Sequence, residues 1–569
     1  MTSTAASESN PAEIRKLVQR EQLLSRMALV LMWLFLLSPM MLQPLLNNGR
    51  GRIDILYCLN LITTVLWVGT LHFSIRRPVV LHALLAPLYI TTAIDLFQMA
   101  TFGNRLTSGY IGVAITNSDE VGEFFGAYTR PILASLAMAA VVYGFGMFGI
   151  RKIVLKPRGR WSIACASLLL ALYTALTTPA IWTVPTLKEM VLDVFGKEMS
   201  APMGSVFQLG LAVQILNDES ELKRQRAQNS LGARPSRSNK NEIYVWVVGE
   251  SSRPENWSLF HYNRDTSPRA RSNPNIIPLS NVYSTSPLTS FAVPSMLSLW
   301  PITDWKSIVA HRSIVSAFNE AGFSTYWLST QEADTWGGVI PQLATEAKRR
   351  WYFDRAFDGA MLERFRTLLD SAAEGEKIFI VIHTKGSHFV YSRRHPADFA
   401  KFKNSTESRR NNLVDMYDNT ILYTDWFVGE VVQMLNERGG PSALMYASDH
   451  GENLLDDDRQ LLGHGIGSDF DLRSAAFLWL SDPMRNKMTE MSRTAKENAS
   501  AKLSLSNLPH SFLDLAGIEA AQLDSSLSIF SPNFKERERW HLIEGKLFSE
   551  DEIFKNQTRK PKVAGHEPH

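Results

Sequence analysis

Cysteine is almost missing from this chain of 569 residues, which has only Cys58 and Cys165. Both fall inside long apolar stretches, so the more polar remainder has none and cannot be held by disulfides, even in a compartment that permits them. Its stability must come from a hydrophobic core, which about 330 residues are enough to bury. A large charge of either sign is also lacking. A net charge of +3 gives no support to bulk nucleic-acid binding. No internal repeat is visible, and the length suggests two or three domains.

Long apolar runs are present, all in the first third. Five are long enough for a bilayer, which needs roughly 20 residues: Met27–Leu46, Ile55–Ile75, Val79–Met99, Pro131–Ile150 and Trp161–Trp182. Arg15, Lys16, Arg20 and Arg26 precede the first, Arg76 and Arg77 follow the second, and Arg151, Lys152, Lys156, Arg158 and Arg160 follow the fourth. The alternate loops hold mainly Arg50, Arg52 and Arg105. The positive-inside rule places the N-terminus in the cytoplasm and everything after about Trp182 outside. Leu-Asn-Asn-Gly-Arg follows the first stretch instead of a small-residue cleavage site, so it reads as an uncleaved anchor. The expected organisation is a transmembrane domain over 1–182, bridging helices and a linker over 183–241, a globular domain over 242–548 and a loose charged tail over 549–569. In the loop 100–130, Thr116-Asn117-Ser118-Asp119-Glu120 reads as a helix cap with an acidic first turn. The same short helix has a second reading, as part of a site for a lipid head group at the membrane surface.

From residue 242 short apolar strands alternate with helical segments, the pattern of an α/β sandwich. Strands are expected at Ile243–Glu250, Thr325–Leu328, Ile378–His383, Ala443–His450 and Ala475–Leu480. Helices are expected at Ser313–Ala321, Ala360–Ala372, Leu413–Glu437 and Leu508–Ala516. Ile-Tyr-Val-Trp-Val-Val-Gly-Glu is a strand buried on both faces that delivers Glu250 at its end. A second run delivers Asp449 and His450. Ends of parallel strands converge on one crevice, where α/β proteins bind ligands. One imidazole with two carboxylates suits zinc, with manganese as competitor.

A metal beside a phosphate or sulfate ester serves a nucleophile or polarises an oxygen. Ser280–Pro294 is dense in hydroxyls and leads into a helix, whose N-terminal dipole would favour an alkoxide and an attached phosphate. Spacing does not choose among Ser284, Thr285, Ser286, Thr289 and Ser290. His383, His388 in Gly386-Ser387-His388 and His464 in Gly463-His464-Gly465 form a further layer. Rings in such loops can bind a second metal, hold phosphate oxygens or move protons. His395, before a proline, reads as structural.

These segments resemble the bacterial phosphoethanolamine transferases of the alkaline phosphatase/sulfatase superfamily. The resemblance runs through Val248–Pro268, Ser280–Pro294, Gly386-Ser387-His388, Tyr417–Tyr423, Ser448-Asp449-His450-Gly451-Glu452 and Gly463-His464-Gly465. It implies five membrane helices and a sulfatase-like α/β domain around a mixed, mostly parallel sheet. It implies zinc on Glu250, Thr289, Asp449 and His450, with Thr289 as nucleophile and His388 and His464 as accessory catalytic histidines. Thr116 and Glu120 resemble the membrane-loop residues that hold the lipid donor. The implied reaction moves phosphoethanolamine from phosphatidylethanolamine to a glycan or glycolipid of the envelope, by way of a phospho-threonine, outside the inner membrane. His261 stands where glycine is common, and Glu332 and Asp334 occupy the region where lipid A-modifying members use a lysine. With the missing disulfides, this points to the branch that modifies core heptose or periplasmic glucans. Ser531–Lys535 through Arg539-Trp540 resembles the C-terminal signature of the heptose-modifying members.

Two alternatives differ in kind. A phosphoglycerol transferase of the lipoteichoic-acid-synthase type shares the topology and the threonine chemistry. A catalytically inactive membrane protein that binds glycan or metal would have lost one ligand. A true sulfatase is disfavoured, because Thr285-Ser286-Pro287-Leu288-Thr289 lacks the arginine of the Cys/Ser-x-Pro-x-Arg pattern and the globular part has no cysteine.

Overall fold

A computed structural model describes residues 11–46, 75, 77–102, 106, 111, 118–151, 153, 168, 224–226, 228–237, 240–331, 339–353, 355–403, 408–543 and 545–555. The chain divides into two units: residues 1–111 with 124–213, and residues 112–123 with 214–569.

The first unit is helical. Helix α1 (Pro11–Leu46) contains an apolar segment, Arg15–Leu42, long enough to cross a membrane. Helices α2 (Pro78–Leu84) and α3 (Ala86–Phe102) cover the third expected span but are bent by 59° at the break. Pro87 explains the bend: it lacks an N–H, and its ring clashes with the carbonyl four residues earlier. Helix α4 (Ser118–Ile150) is kinked at Tyr128 for the same reason, with Pro131 just beyond, and Tyr128–Ile150 is again long enough to span. Among the described residues there are therefore two spanning-length helices, or three with the bent pair. Met32, Leu36, Leu81, Tyr89 and Ala93 pack together, and the His82 Nδ1 lies 2.8 Å from the Tyr89 hydroxyl. The spans expected at 55–75 and 161–182 lie outside the described residues, apart from Ile75 and Leu168, as does Thr116. Glu120 lies in α4.

The second unit is built on a seven-stranded sheet. In chain order its strands are β1 (Ile243–Gly249), β2 (Ile276–Leu279), β3 (Ser324–Ser329), β4 (Arg349–Tyr352), β5 (Ile378–His383), β6 (Ser442–Ser448) and β7 (Ala476–Leu480). Across the sheet they run β2-β7-β6-β1-β5-β3-β4. Strands β6, β1, β5, β3 and β4 are parallel, and β7 is antiparallel to both neighbours. This is the expected mixed, mostly parallel sheet.

Period-two alternation divides β1 between two cores. Tyr244, Trp246 and Val248 pack with Phe318 and Phe512, from helices α6 (Ile314–Glu320) and α9 (Asn507–Ala516). Val245 and Val247 pack with Phe365, Tyr417 and Ile421, from α7 (Met361–Asp370) and α8 (Arg409–Arg438). Burial of one such side chain contributes roughly 1.5–3 kcal/mol, about what one disulfide provides. Dozens of them replace the cross-links that the sequence lacks.

The tail expected from residue 549 begins with a short helix, Glu550–Lys555. Ser549 Oγ accepts from the Glu552 N–H, and Glu552 Oε2 accepts from the Ser549 N–H at 2.8 Å, a reciprocal cap.

Candidate metal centre

Strands β1 and β6 are paired neighbours, with Gly249 opposite Ser448. Their ends therefore deliver Glu250 and Asp449-His450 side by side. The chain turns sharply after Glu250, with Ser251 in the left-handed region at φ 53°. That turn is held from several directions. The Tyr417 hydroxyl donates to the Ser251 carbonyl at 2.6 Å and accepts from the Arg253 N–H at 3.0 Å. Ser251 N–H donates to Asp449 Oδ1 at 3.1 Å, and Ser251 Oγ donates to Glu250 Oε1 at 2.7 Å. Arg253 is clamped onto Asp456 through two bonds of 2.7 and 3.0 Å. Burial opposes that carboxylate, but Arg253 outweighs it and holds Asp456 below its ordinary pKa.

Thr289 opens helix α5 (Thr289–Met296). Its Oγ1 lies 3.4 Å from Glu250 Oε2 and 3.2 Å from His450 Nε2. His450 Nε2 lies 3.6 Å from Glu250 Oε1 and 3.4 Å from Asp449 Oδ2. One donor atom each from Glu250, Asp449 and His450 falls within a 4.8 Å sphere of mutual distance, and all three residues are buried. The four side chains thus meet although 39 residues separate the first two and 161 separate Thr289 from His450.

Three observations suit this cluster to a divalent cation. Asp449 Oδ1 accepts from the Ser251 and His450 N–H groups, while its Oδ2 is buried without a hydrogen-bond partner among the described residues. A buried acceptor left open is costly unless something fills it. His450 Nδ1 donates to the Gly451 carbonyl at 2.8 Å, which leaves the Nε2 lone pair facing the carboxylates, as in metal-bound histidines. Burial also raises the Asp449 carboxyl and pushes His450 well below its ordinary value, the latter helped by His464. A bound cation would favour the charged form of Asp449, and a neutral His450 is the form that ligates metals.

Two of the other hydroxyls of the segment are held in the turn before the helix. Ser284 Oγ, with one hydrogen to give, lies 2.5 Å from the Asp449 carbonyl and 2.6 Å from the Ser286 carbonyl. Ser286 Oγ accepts from the Leu288 N–H, and Thr285 is fully buried. Of the five hydroxyls that spacing left open, that of Thr289 lies within 3.4 Å of both Glu250 and His450.

His464 and His388 flank the cluster. The His464 ring centre lies 4.2 Å from that of His450 and 6.2 Å from that of His388. Its Nδ1 is 2.8 Å from Glu452 Oε2, and the other oxygen of Glu452 accepts from the Tyr391 hydroxyl at 2.6 Å. Burial disfavours charge on His464, but the Glu452 carboxylate, with Glu250 and Asp449, carries it up to about 10. His383 is not drawn into the cluster: it packs edge-on against Trp327, and burial lowers it to about 4. His395 Nδ1 bonds to the Pro396 carbonyl, in line with a structural role. Glu332 and Asp334 lie outside the described residues, while Gln331 Nε2 reaches Glu250 Oε2 at 3.4 Å.

Sequence reading missed Asp358. Its buried carboxylate accepts from Thr330 Oγ1 at 2.5 Å and from the N–H groups of Lys385 and Gly386 at 2.8 and 3.1 Å. It thereby anchors the loop that carries His388. An Asp-Gly turn is too common a pattern to have announced this. Gly386 has φ +46° and lies so close to Glu250 that a Cβ would stand 3.0 Å from its backbone N and O.

Gly451 is tighter still, because a Cβ there would overlap the carbonyl oxygens of Phe470 and Arg473. Backbone cannot retreat as a flexible side chain can. Gly451→Ala is expected to destabilise the protein by about 2 kcal/mol or more. Its apparent melting temperature should fall by roughly 4 °C or more; an unchanged value would contradict this packing.

Residues 242–518 match the Sulfatase family. Phosphoethanolamine transferase EptC of Escherichia coli strain K12 is 23% identical over 518 residues, covering 84% of this chain and 87% of that protein. Phosphoethanolamine transferase EptA of the same strain is 28% identical over 303 residues, 49% of this chain and 54% of that one. The crystal structure of the C-terminal periplasmic domain of EptC from Escherichia coli, also solved in complex with Zn, shares the fold. It aligns with a TM-score of 0.52 at 24% identity, covering 56% of this chain and 95% of that one. The integral membrane protein lipooligosaccharide phosphoethanolamine transferase A from Neisseria meningitidis aligns with a TM-score of 0.66 at 19% identity, over 89% of this chain and 98% of that one. The likeness to the Sulfatase family thus spans residues 242–518, the stretch that holds the seven-stranded sheet and the cluster at its strand ends.

Proposed function

We propose that this protein is a membrane-anchored phosphoethanolamine transferase. Phosphatidylethanolamine is its donor, and a glycan or glycolipid of the bacterial envelope is its acceptor. The observation that carries this reading is the Thr289 hydroxyl, at a helix N-terminus and 3.2 to 3.4 Å from His450 and Glu250. The likeness to named phosphoethanolamine transferases over most of the chain supports it.

Glu250, Thr289, Asp449 and His450 would hold the cation, zinc by their donor set, with manganese as the competitor. When bound, it lowers the pKa of the Thr289 hydroxyl and balances the negative charge that gathers between oxygen and phosphorus. Thr289 Oγ1 attacks the phosphorus of the donor. The bond from phosphorus to the diacylglycerol oxygen breaks, that oxygen takes up a proton, and diacylglycerol returns to the bilayer. Phosphoethanolamine stays on Thr289. An acceptor hydroxyl then gives up its proton, attacks the same phosphorus and releases Thr289 Oγ1. His388 and His464 stand beside the cluster to hold phosphoryl oxygens and to supply and collect protons.

Diacylglycerol as leaving group gives a reason for joining apolar helices to a globular enzyme. The same reading puts residues 1–182 in the inner membrane with five spans and a cytoplasmic N-terminus, and residues 242–548 in the periplasm. Residues 183–241 bridge the two, and Thr116 and Glu120 contact the donor. The acceptor is core heptose or a periplasmic glucan, in keeping with the Ser531–Trp540 signature.

The test is donor selectivity. Full-length protein in vesicles containing equal phosphatidylethanolamine and phosphatidylglycerol is expected to consume the first and leave the second. Consumption of phosphatidylglycerol instead would turn the assignment to a phosphoglycerol transferase. Consumption of neither, with a suitable envelope acceptor present, would support an inactive binding protein.

A further inference from the structure

The histidines around Thr289 differ in what their Nδ1 atoms face. His450 Nδ1 faces the Gly451 carbonyl, and His464 Nδ1 faces the Glu452 carboxylate. Both partners are acceptors, so both Nδ1 atoms carry a hydrogen. His388 Nδ1 faces Arg394 Nη2 at 3.3 Å. A guanidinium has five donors and no acceptor. His388 Nδ1 must therefore accept, and the ring hydrogen sits on Nε2.

The arrangement is built rather than incidental. Arg394 and His388 are both 7% exposed. The guanidinium also donates from Nε to the His388 and Phe389 carbonyls at 3.1 and 3.2 Å, and from Nη2 to the Phe389 carbonyl at 2.7 Å. Those bonds require the chain to fold back on itself, and Val390 does so in the left-handed region at φ 66°. For a β-branched residue that conformation is strained and persists only where surrounding contacts enforce it. The loop is anchored at its other end by Asp358, through the N–H groups of Lys385 and Gly386.

We propose that Arg394 is a positioning residue that holds His388 as an Nε2–H hydrogen-bond donor to the transferred phosphoryl group and keeps it from ligating a second cation. An Nε2 that bears hydrogen cannot donate a lone pair to zinc, nor can it accept a proton. Moving the hydrogen to Nδ1 would set it against the donors of Arg394. Proton transfer is then left to His464. The inference rests on the phosphoryl-transfer reading above and divides the work between two histidines that the sequence did not distinguish.

The test compares substitutions in the full-length protein. His388→Gln places an amide N–H close to the Nε2 position and is expected to keep transfer within about tenfold of wild type. His388→Ala is expected to lose about 100-fold, the usual cost of one oxyanion donor. After dialysis against excess zinc, metal analysis should give the same count per chain for wild type, His388→Ala and Arg394→Lys. Arg394→Met should take up one further zinc that Arg394→Met/His388→Ala does not. The proposal is overturned if His388→Gln is as inactive as His388→Ala, if His388→Ala loses a zinc that wild type holds, or if Arg394→Met binds no additional zinc. Failure of the underlying metal reading shows separately, as an unchanged zinc count in Asp449→Asn.

Discussion

Thr289→Ala is expected to abolish transfer, with a loss on the order of 10⁵–10⁶-fold, the scale seen when a covalent nucleophile is removed. In the proposed mechanism the same hydroxyl also ligates the cation, so both contributions fall together. Thr289→Ser keeps the oxygen and loses only a methyl group at a half-buried helix N-terminus, so its loss should be far smaller. Ser290→Ala, one residue on, is the control and should leave the rate within a few-fold of wild type. Diacylglycerol release from phosphatidylethanolamine in mixed micelles measures all three. Retention of activity in the alanine variant would remove the threonine from the chemistry.

The second large effect is expected for Asp449→Asn. The Ser251 and His450 N–H groups both point at Oδ1. An asparagine must therefore turn its carbonyl oxygen toward them, which puts the amide NH₂ where Oδ2 stood, facing the cluster. Donor hydrogens replace a negative oxygen in front of the cation. Zinc content should fall to background, and transfer should drop by roughly 10³-fold or more. Stability should move the opposite way. With a chelator present, Asp449→Asn should melt at or above wild type, because the wild type then buries Glu250 and Asp449 together without a cation. With zinc, wild type should be the more stable, since ligand binding to the folded state adds stability by mass action.

The pH dependence has a definite sign. Burial raises the Asp449 carboxyl above its unfolded value. Its neutral form is favoured in the metal-free fold, so its contribution is complete below the unfolded pKa and is lost as pH rises through the folded one. The advantage of Asp449→Asn in chelator should grow with pH across that window. Melting curves with and without zinc at several pH values check this, and a chelator-treated Asp449→Asn that melts well below wild type would contradict it.

The central strands were legible because burial on both faces writes a continuous apolar run. Ile378–His383 was expected and found, and Ile243–Glu250 and Ala443–His450 each end within two residues of the observed strands. The edge strands were not legible. Ile276–Leu279 contains Pro278, and Arg349–Tyr352 opens with two exposed arginines. Both features suit a sheet edge, where a missing donor or a charge discourages further pairing, and both hide the strand from a pattern search. In the helical unit the apolar length is readable, but the run Val79–Met99 does not announce the 59° bend at Pro87.

The candidate site was legible in part. Strand ends announced Glu250, Asp449 and His450, because parallel neighbours must bring their ends together. The choice of Thr289 among five hydroxyls needed a family resemblance, since the distances that select it cross 39 and 161 residues of chain. Asp358, Glu452 and Arg394 act on other side chains and backbone groups through bonds that no local pattern encodes. Their parts emerged only from the hydrogen-bond network.

The most direct measurement is to expose full-length protein to phosphatidylethanolamine without an acceptor, digest it and map the products by tandem mass spectrometry. A phosphoethanolamine increment on the peptide bearing Thr289, localised to that residue and lost after chelation, is the predicted result. Diacylglycerol release with Thr289 unmodified, or the increment on a different side chain, would contradict the account.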